Sequence, residues 1–204
     1  MYLSKLTLDL RSKEARRDLG DAYEMHRTLA RAFITDEQSE PARFLWRLEL
    51  GSNPSAAPVV LLQSGVQADW SFLQTLKNYA QRPVECKHVP LERLIQEGRC
   101  YRFRLLANPT VTRQGKRFGL VGAADQLAWL ARQGERHGFA IESVGVSTSD
   151  VLSSRKDDGR IHIQRVCFEG VLRATCANDL RAALRSGIGP AKAFGCGLLS
   201  IAPV

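Results

Sequence analysis

The strongest constraint on this chain is a pattern that occurs twice. Residues 2–10 alternate apolar and polar side chains, and so does Cys100-Tyr101-Arg102-Phe103-Arg104-Leu105-Leu106-Ala107. A period of two marks a strand with one face buried. Each strand opens a similar succession. In the first half, Asp21 caps a helix whose stripe is Met25, Leu29, Ala32 and Phe33, with Glu24 completing a capping-box variant. Phe44 to Leu50 and Val59 to Ser64 read as strands, Asp69 to Tyr79 as a second helix, and Val84 to Val89 as a fourth strand. In the second half, Ala123 to His137 reads as a helix with Leu127, Leu130 and Ala131 as its apolar stripe. Phe139 to Val146 and Ile161 to Ala174 read as strands, with Asp158-Gly159 as the turn of a hairpin tip. A helix capped by Asn178 or Asp179 runs to Ser186, and Leu198 to Ala202 closes the pattern. The order β-α-β-β-α-β is the ferredoxin-like arrangement. The predicted fold is therefore α+β, with two tandem ferredoxin-like domains over 1–92 and 98–204. Pro90 to Gly98 is read as a linker with one helical turn.

That topology is shared with the RNA recognition motif, and the charge points the same way. The net charge is +8, and clustered Lys and Arg attract phosphates. Three clusters stand out: Arg102 with Arg104 on one strand face, Arg113, Lys116 and Arg117 on a loop, and Arg155, Lys156 and Arg160 around the hairpin tip. The aromatic signature that stacks bases is missing from Arg165-Val166-Cys167-Phe168-Glu169-Gly170-Val171. Single-stranded bases are therefore not expected to stack on the sheet face. No apolar run reaches the ~18 residues a bilayer span needs, and the N-terminus lacks the pattern of a signal peptide. Five scattered cysteines without a C-x-x-C argue against a disulfide framework or a zinc site and fit a reducing cytoplasm.

Near the C-terminus, Gly187-Ile188-Gly189 and Gly195-Cys196-Gly197 flank five residues that include Lys192. Backbone of this composition can approach a ligand closely and aim its amides at an anion, with Lys192 as a mobile charge. The plainer reading is a helix stop followed by a tight turn into the last strand.

The first helix carries the candidate chemistry. Tyr23, Arg27 and Arg31 project away from its apolar stripe, and His26 lies at the border. Tyr23 and His26 are three apart, so they share a face one turn apart. His88, His137 and His162 are read as structural or surface residues.

Met1 to Lys5, then Arg16-Arg17-Asp18-Leu19 and Tyr23-Glu24-Met25-His26-Arg27-Thr28-Leu29, resemble the start of the CasE-type CRISPR endoribonucleases. Phe103-Arg104-Leu105-Leu106-Ala107-Asn108-Pro109 with Gly115-Lys116-Arg117, and the glycine loop at 187–197, resemble the same family in the same order. The resemblance implies tandem ferredoxin-like domains that bind the CRISPR repeat hairpin, cut once at the 3′ base of the stem without a metal or cofactor, and keep the product as a subunit of the type I-E Cascade complex. It implies His26 as the catalytic histidine with Tyr23 one turn earlier. Position 31, often Lys in the family, is Arg31 here, which keeps the charge but gives up no proton.

Metal-free cleavage needs a base for the ribose 2′-OH, a proton donor for the leaving 5′ oxygen, and charge on the phosphorane. His26 suits general acid or base work near neutrality, with Tyr23 as orienter or second donor and Arg27 and Arg31 as the stabilising charges. The expected ends are a 5′-hydroxyl and a 2′,3′-cyclic phosphate. The alternatives are a subunit that holds the hairpin without cutting, and a regulator binding a small anion in the glycine loop.

Overall fold

The structure, a computed structural model, describes residues 1–34, 42–49, 56–156 and 159–204, with side chains described outside 155–160. In chain order the elements are β1 (Tyr2–Thr7), α1 (Lys13–Gly20), α2 (Ala22–Ala30), β2 (Phe44–Glu49), β3 (Val59–Ser64), β4 (Glu85–His88) and α3 (Leu91–Leu94). They continue with β5 (Cys100–Ala107), β6 (Thr110–Arg113), β7 (Lys116–Gly119), α4 (Ala123–Arg136), β8 (Phe139–Lys156), β9 (Gly159–Ala174), α5 (Ala177–Ser186) and β10 (Leu199–Pro203). The first sheet is ordered β2-β3-β1-β4 and the second β10-β5-β9-β8. Both are antiparallel throughout. In each, the fourth strand pairs with the first, the first with the third and the third with the second. This is the tandem ferredoxin-like architecture that the repeated pattern predicts. Each sheet has its own apolar core, one around Leu6, Met25, Leu29, Trp46 and Leu62, the other around Tyr101, Leu105, Leu130, Phe168 and Leu180.

Several local expectations change. Residues 69–79 hold a single 3-10 turn, Ser71–Thr75, in place of a helix. Asp69 accepts from the Ser71 amide at 2.9 Å and the Ser71 hydroxyl at 3.0 Å, and Thr75 donates back to the Phe72 carbonyl at 2.7 Å. Such side-chain bonds compete with the helical ladder. Trp70, Phe72, Leu73 and Leu76 still pack against the first core, so the apolar spacing reported burial correctly and geometry wrongly.

Conversely, α1 is a helix that the apolar pattern did not reveal, since its buried residues are only Ala15 and Asp18. Its cap is Ser12, which accepts from the Ala15 amide. The α5 cap is Cys176, so Asn178 and Asp179 lie inside the helix. In α4 the buried face is Gln126, Trp129, Leu130 and Gly134, while Leu127 and Ala131 face outward. Gln126 is turned inward because its amide donates to the carbonyls of Leu120 and Val121.

The polar excursion after Pro109 is a hairpin, β6–β7, turning through Gln114 and Gly115 at φ 49° and 74°. Strand β8 runs well past Val146, with register shifts between Ile141 and Ser143 and between Val146 and Thr148. Next to the first shift, Gly170 pairs with Val144, and a Cβ on it would stand 2.0 Å from the Ser143 carbonyl oxygen. The pairing of β8 with β9 continues to Lys156 and Gly159; Asp158, half of the expected turn, lies outside the described residues.

A buried arginine joins the halves. Arg47 on β2 is 3% exposed. Its guanidinium donates to Glu49, to the carbonyls of Arg104 and Leu198 at 3.2 and 3.0 Å, and to the Ser200 hydroxyl at 3.0 Å. Glu49 also takes Arg104 at 2.6 Å, and Arg104 reaches Glu169. Alongside, the Gln63 amide donates to the Leu184 carbonyl.

Within the first half, α1 and α2 are tied to the core by a second buried charge. Asp18, 1% exposed, accepts from the Tyr79 hydroxyl at 2.6 Å and from Arg17 at 2.7 Å. Burial, and then the Asp18 carboxylate, push the Tyr79 phenol well above its ordinary value. Tyr79→Phe should therefore cost about 1–3 kcal/mol, the penalty for a buried acceptor losing a partner, read as a lower midpoint in chemical denaturation with the slope unchanged.

Candidate nucleic-acid site

Helix α2 starts at Asp21, whose carboxylate accepts from the Tyr23 amide at 2.8 Å. A carboxylate at a helix N-terminus also suits the helix dipole. The same oxygen accepts from the Ser154 hydroxyl at 2.7 Å. Ser154 immediately precedes Arg155 and Lys156, so the basic end of the β8–β9 hairpin stands at the head of α2.

At 100° per residue, the outward arc of α2 reads His26, Tyr23, Arg27, Arg31, with Met25 and Leu29 turned to the core. His26 is half-buried. Its ring stacks on Phe44 at 4.9 Å and 22°, and Phe44 stacks on Phe33 at 5.0 Å and 14°. His26 Nδ1 is buried with no hydrogen-bond partner among the described residues. Burial lowers the His26 pKa below its ordinary 6.5, so the imidazole is neutral at pH 7.

Farther round the arc, Arg27 pairs with Glu24 at 2.9 Å. Arg31 lies over the Phe72 ring at 4.7 Å and donates to Thr75. Arg17, Glu24, Arg27, Thr28 and Arg31 border a depression of about 300 Å³.

The glycine loop reaches the same helix. Gly187 ends α5 at φ 74°, and a Cβ there would meet Leu45 at 2.7 Å. Gly195, at φ 80°, lies under the Trp46 ring. The Gly197 amide donates to the Leu106 carbonyl at 2.7 Å, and Ile188 donates to the Gly197 carbonyl at 2.9 Å. Gly189 stands against Trp129. Between the glycines, the turn Lys192–Phe194 packs on α2 and β2. Burial, and then the nearby Arg43 charge, lower the Lys192 pKa. Burial, and then the Lys192 charge, lower that of His137. The loop is thus both a helix stop and a seam that brings a cation beside α2.

The remaining candidates are spread more widely. Arg113, Lys116 and Arg117 are exposed on the β6–β7 hairpin, which leans on β9 where Gly119 meets Gln164. Arg102 and Arg104 share the exposed face of β5, and Arg104 is held between Glu49 and Glu169. The side chains of Arg155, Lys156 and Arg160 lie outside the described residues. A separate cleft of about 370 Å³ runs between the halves past Trp46, Arg104 and Arg165. On its wall Arg47 pairs with Glu49, Arg104 with Glu169 and Arg165 with Asp150, and His26 does not line it.

Sequence reasoning missed Phe44, Ser154 and Arg47. Arg47 did leave a trace, as a charge in the middle of the apolar run Phe44-Leu45-Trp46-Arg47-Leu48. Phe44 and Ser154 left none, since their roles arise only when distant segments meet. Among the described residues, no group of three His, Cys, Asp or Glu side chains is placed to hold a metal ion. Among the described residues, no helix is long and apolar enough to cross a membrane.

Residues 1–203 match the family described as CRISPR associated protein. The chain is 40% identical to the CRISPR-associated endoribonuclease Cse3 of Thermus thermophilus, and 32% identical to the CRISPR system Cascade subunit CasE of Escherichia coli K12. Both alignments cover all of each protein. The solved structure of Thermus thermophilus Cse3 bound to an RNA representing a pre-cleavage complex superposes with a TM-score of 0.88 at 39% identity, covering 99% of this chain and 98% of that one. Fold, length and sequence agree: the chain belongs to the CRISPR-associated endoribonucleases of the Cse3 and CasE type.

Proposed function

We propose that this chain is a crRNA-maturing endoribonuclease that binds the stem-loop of the CRISPR repeat in precursor RNA, cuts once at the 3′ base of the stem, and keeps the product as a Cascade subunit. The observation that carries this reading is the full-length superposition on an RNA-bound relative, with a neutral histidine at the border of a basic helix face.

Cleavage proceeds by attack of the ribose 2′-oxygen on the adjacent phosphorus. His26, neutral because it is buried, takes the 2′-OH proton. With Nδ1 sealed, Nε2 is the nitrogen that meets the RNA. Arg27 and Arg31 hold the charge that grows on the phosphorane. Tyr23 orients the phosphodiester or gives a proton to the departing 5′ oxygen, whose bond to phosphorus breaks. The ends are a 5′-hydroxyl and a 2′,3′-cyclic phosphate. No step calls on a metal ion. The stem is gripped by the hairpin tip (Arg155, Lys156, Arg160) and the β6–β7 hairpin (Arg113, Lys116, Arg117), with Arg102 and Arg104 on the adjoining strand. Lys192 and the backbone at Gly189 lie along the phosphates, in a loop shaped by Gly187, Gly195 and Gly197, which are buried with their amides bonded to Ala183, Lys192 and Leu106. The five cysteines are free, which fits work in a reducing cytoplasm.

The test is a labelled repeat hairpin in EDTA. Wild type should cut it, and His26→Ala should lose about 10²–10⁴ in rate with affinity within a few-fold; a bound but uncut hairpin would instead make the chain a non-catalytic RNA-binding subunit. On the acid side kcat/KM reports the free enzyme. Protonation of His26 removes the base, so activity should fall with pH through a midpoint below 6.5. Binding itself should weaken linearly in log salt, by about 0.7–0.9 per phosphate neutralised. A salt-insensitive affinity would contradict the phosphate contacts.

A further inference from the structure

We infer that Phe44 is a positioning residue for the reaction, the group that sets the orientation of the His26 ring; this rests on the endoribonuclease reading above.

The torsion that swings an imidazole about its Cβ–Cγ bond is broad and roughly two-fold. Helix α2 therefore fixes where the His26 ring starts and leaves open which way its nitrogens point. A catalytic histidine ordinarily solves this with a hydrogen bond at the nitrogen not used in chemistry, which sets tautomer and plane together. His26 has no such bond: Nδ1 is buried and unpartnered among the described residues.

The plane is held by a ring instead. Phe44 lies nearly parallel to the imidazole at 4.9 Å, and Phe33 backs Phe44 at 5.0 Å. Phe33 is buried in the first core, with Met25 and Leu29 of α2. Phe44 is the first residue of β2, paired opposite Ser64 of β3. The stack thus runs from the core, through the strand that carries Arg47, to the imidazole. Stacked aromatic pairs contribute more than the area they bury, and only a flat partner resists rotation of a flat ring. A side chain of similar bulk without a flat face would cover His26 and still let it turn.

Two variants separate orientation from packing. Phe44→Leu keeps an apolar cover but no ring, and Phe44→Tyr keeps the ring. In single-turnover cleavage of the repeat hairpin in EDTA, Phe44→Leu should be at least about tenfold slower with RNA affinity within about threefold, since misorientation costs rate more than binding. Phe44→Tyr should stay near wild type. Proton NMR of the RNA-free protein supplies a second readout: the His26 ring protons should be displaced upfield by the stack in wild type and Phe44→Tyr, and the displacement should vanish in Phe44→Leu. Wild-type cleavage by Phe44→Leu, or slow cleavage by Phe44→Tyr with the upfield shift intact, would overturn the assignment. So would the absence of that shift in wild type. A wild-type chain that cuts no repeat hairpin would defeat the endoribonuclease reading itself, while the ring-proton shift would still report on the stack.

Discussion

A guanidinium taken out of water must have every donor met, because an unpaired buried charge costs far more than a good pair returns. Arg47 satisfies that condition with acceptors from both halves of the molecule. Its five N–H groups find Glu49, Ser200 and the carbonyls of Arg104 and Leu198. Two of those acceptors are backbone atoms, which fix position more strictly than a mobile side chain would. The first sheet is therefore held against β5 and the segment leading into β10 in one orientation, and Glu49, Arg104 and Glu169 extend the contact across the face of the second sheet.

The geometry of the candidate site follows from that constraint. Strand β2 carries Leu45 against Gly187, Trp46 against Gly195 and Phe44 against His26. One short strand thus touches the glycine loop, the inter-sheet pairings and the His26 ring. The loop's glycines serve packing first: a Cβ at 187 would stand 2.7 Å from Leu45, and one at 195 would press on Trp46 at 3.2 Å from a backbone at φ 80°. Because the loop closes so tightly, its Lys192 turn reaches α2. At the head of the helix, Asp21 takes Ser154 from the long hairpin. Helix α2 is held at its head by the ribbon that carries the basic tip and along its side by the glycine loop.

Much of this was legible in the residues. The alternation in 2–10 and 100–107 marked both first strands, and Asp21 with the Met25–Leu29 stripe placed α2 and its buried face. The repeated order implied both sheets. What the sequence hid has physical causes. Residues 69–79 carry helical apolar spacing, yet Asp69 and Thr75 spend their side chains on local backbone groups. Helix α1 has only Ala15 and Leu19 as apolar side chains, and its inward face is completed by Asp18, whose burial is tolerable only because the distant Tyr79 joins the neighbouring Arg17 in bonding it. In α4, Gln126 displaces Leu127 from the core because its amide has carbonyls to bond. The site divides the same way. Tyr23, His26, Arg27 and Arg31 were visible as one helix face, whereas the Phe44 stack and the Ser154 bond depend on contacts between segments far apart in the chain.

The central claim is that the Arg47 contact fixes α2 relative to the glycine loop and the hairpin, and so holds the His26 ring where a phosphodiester must lie. The direct measurement is single-turnover cleavage of the repeat hairpin by Arg47→Met, with folding checked by thermal denaturation and affinity measured in parallel. The account predicts a folded protein that binds the hairpin within about threefold of wild type and cuts it about ten- to a hundredfold more slowly, the cost of a displaced catalytic group. A variant that cuts at the wild-type rate would contradict it.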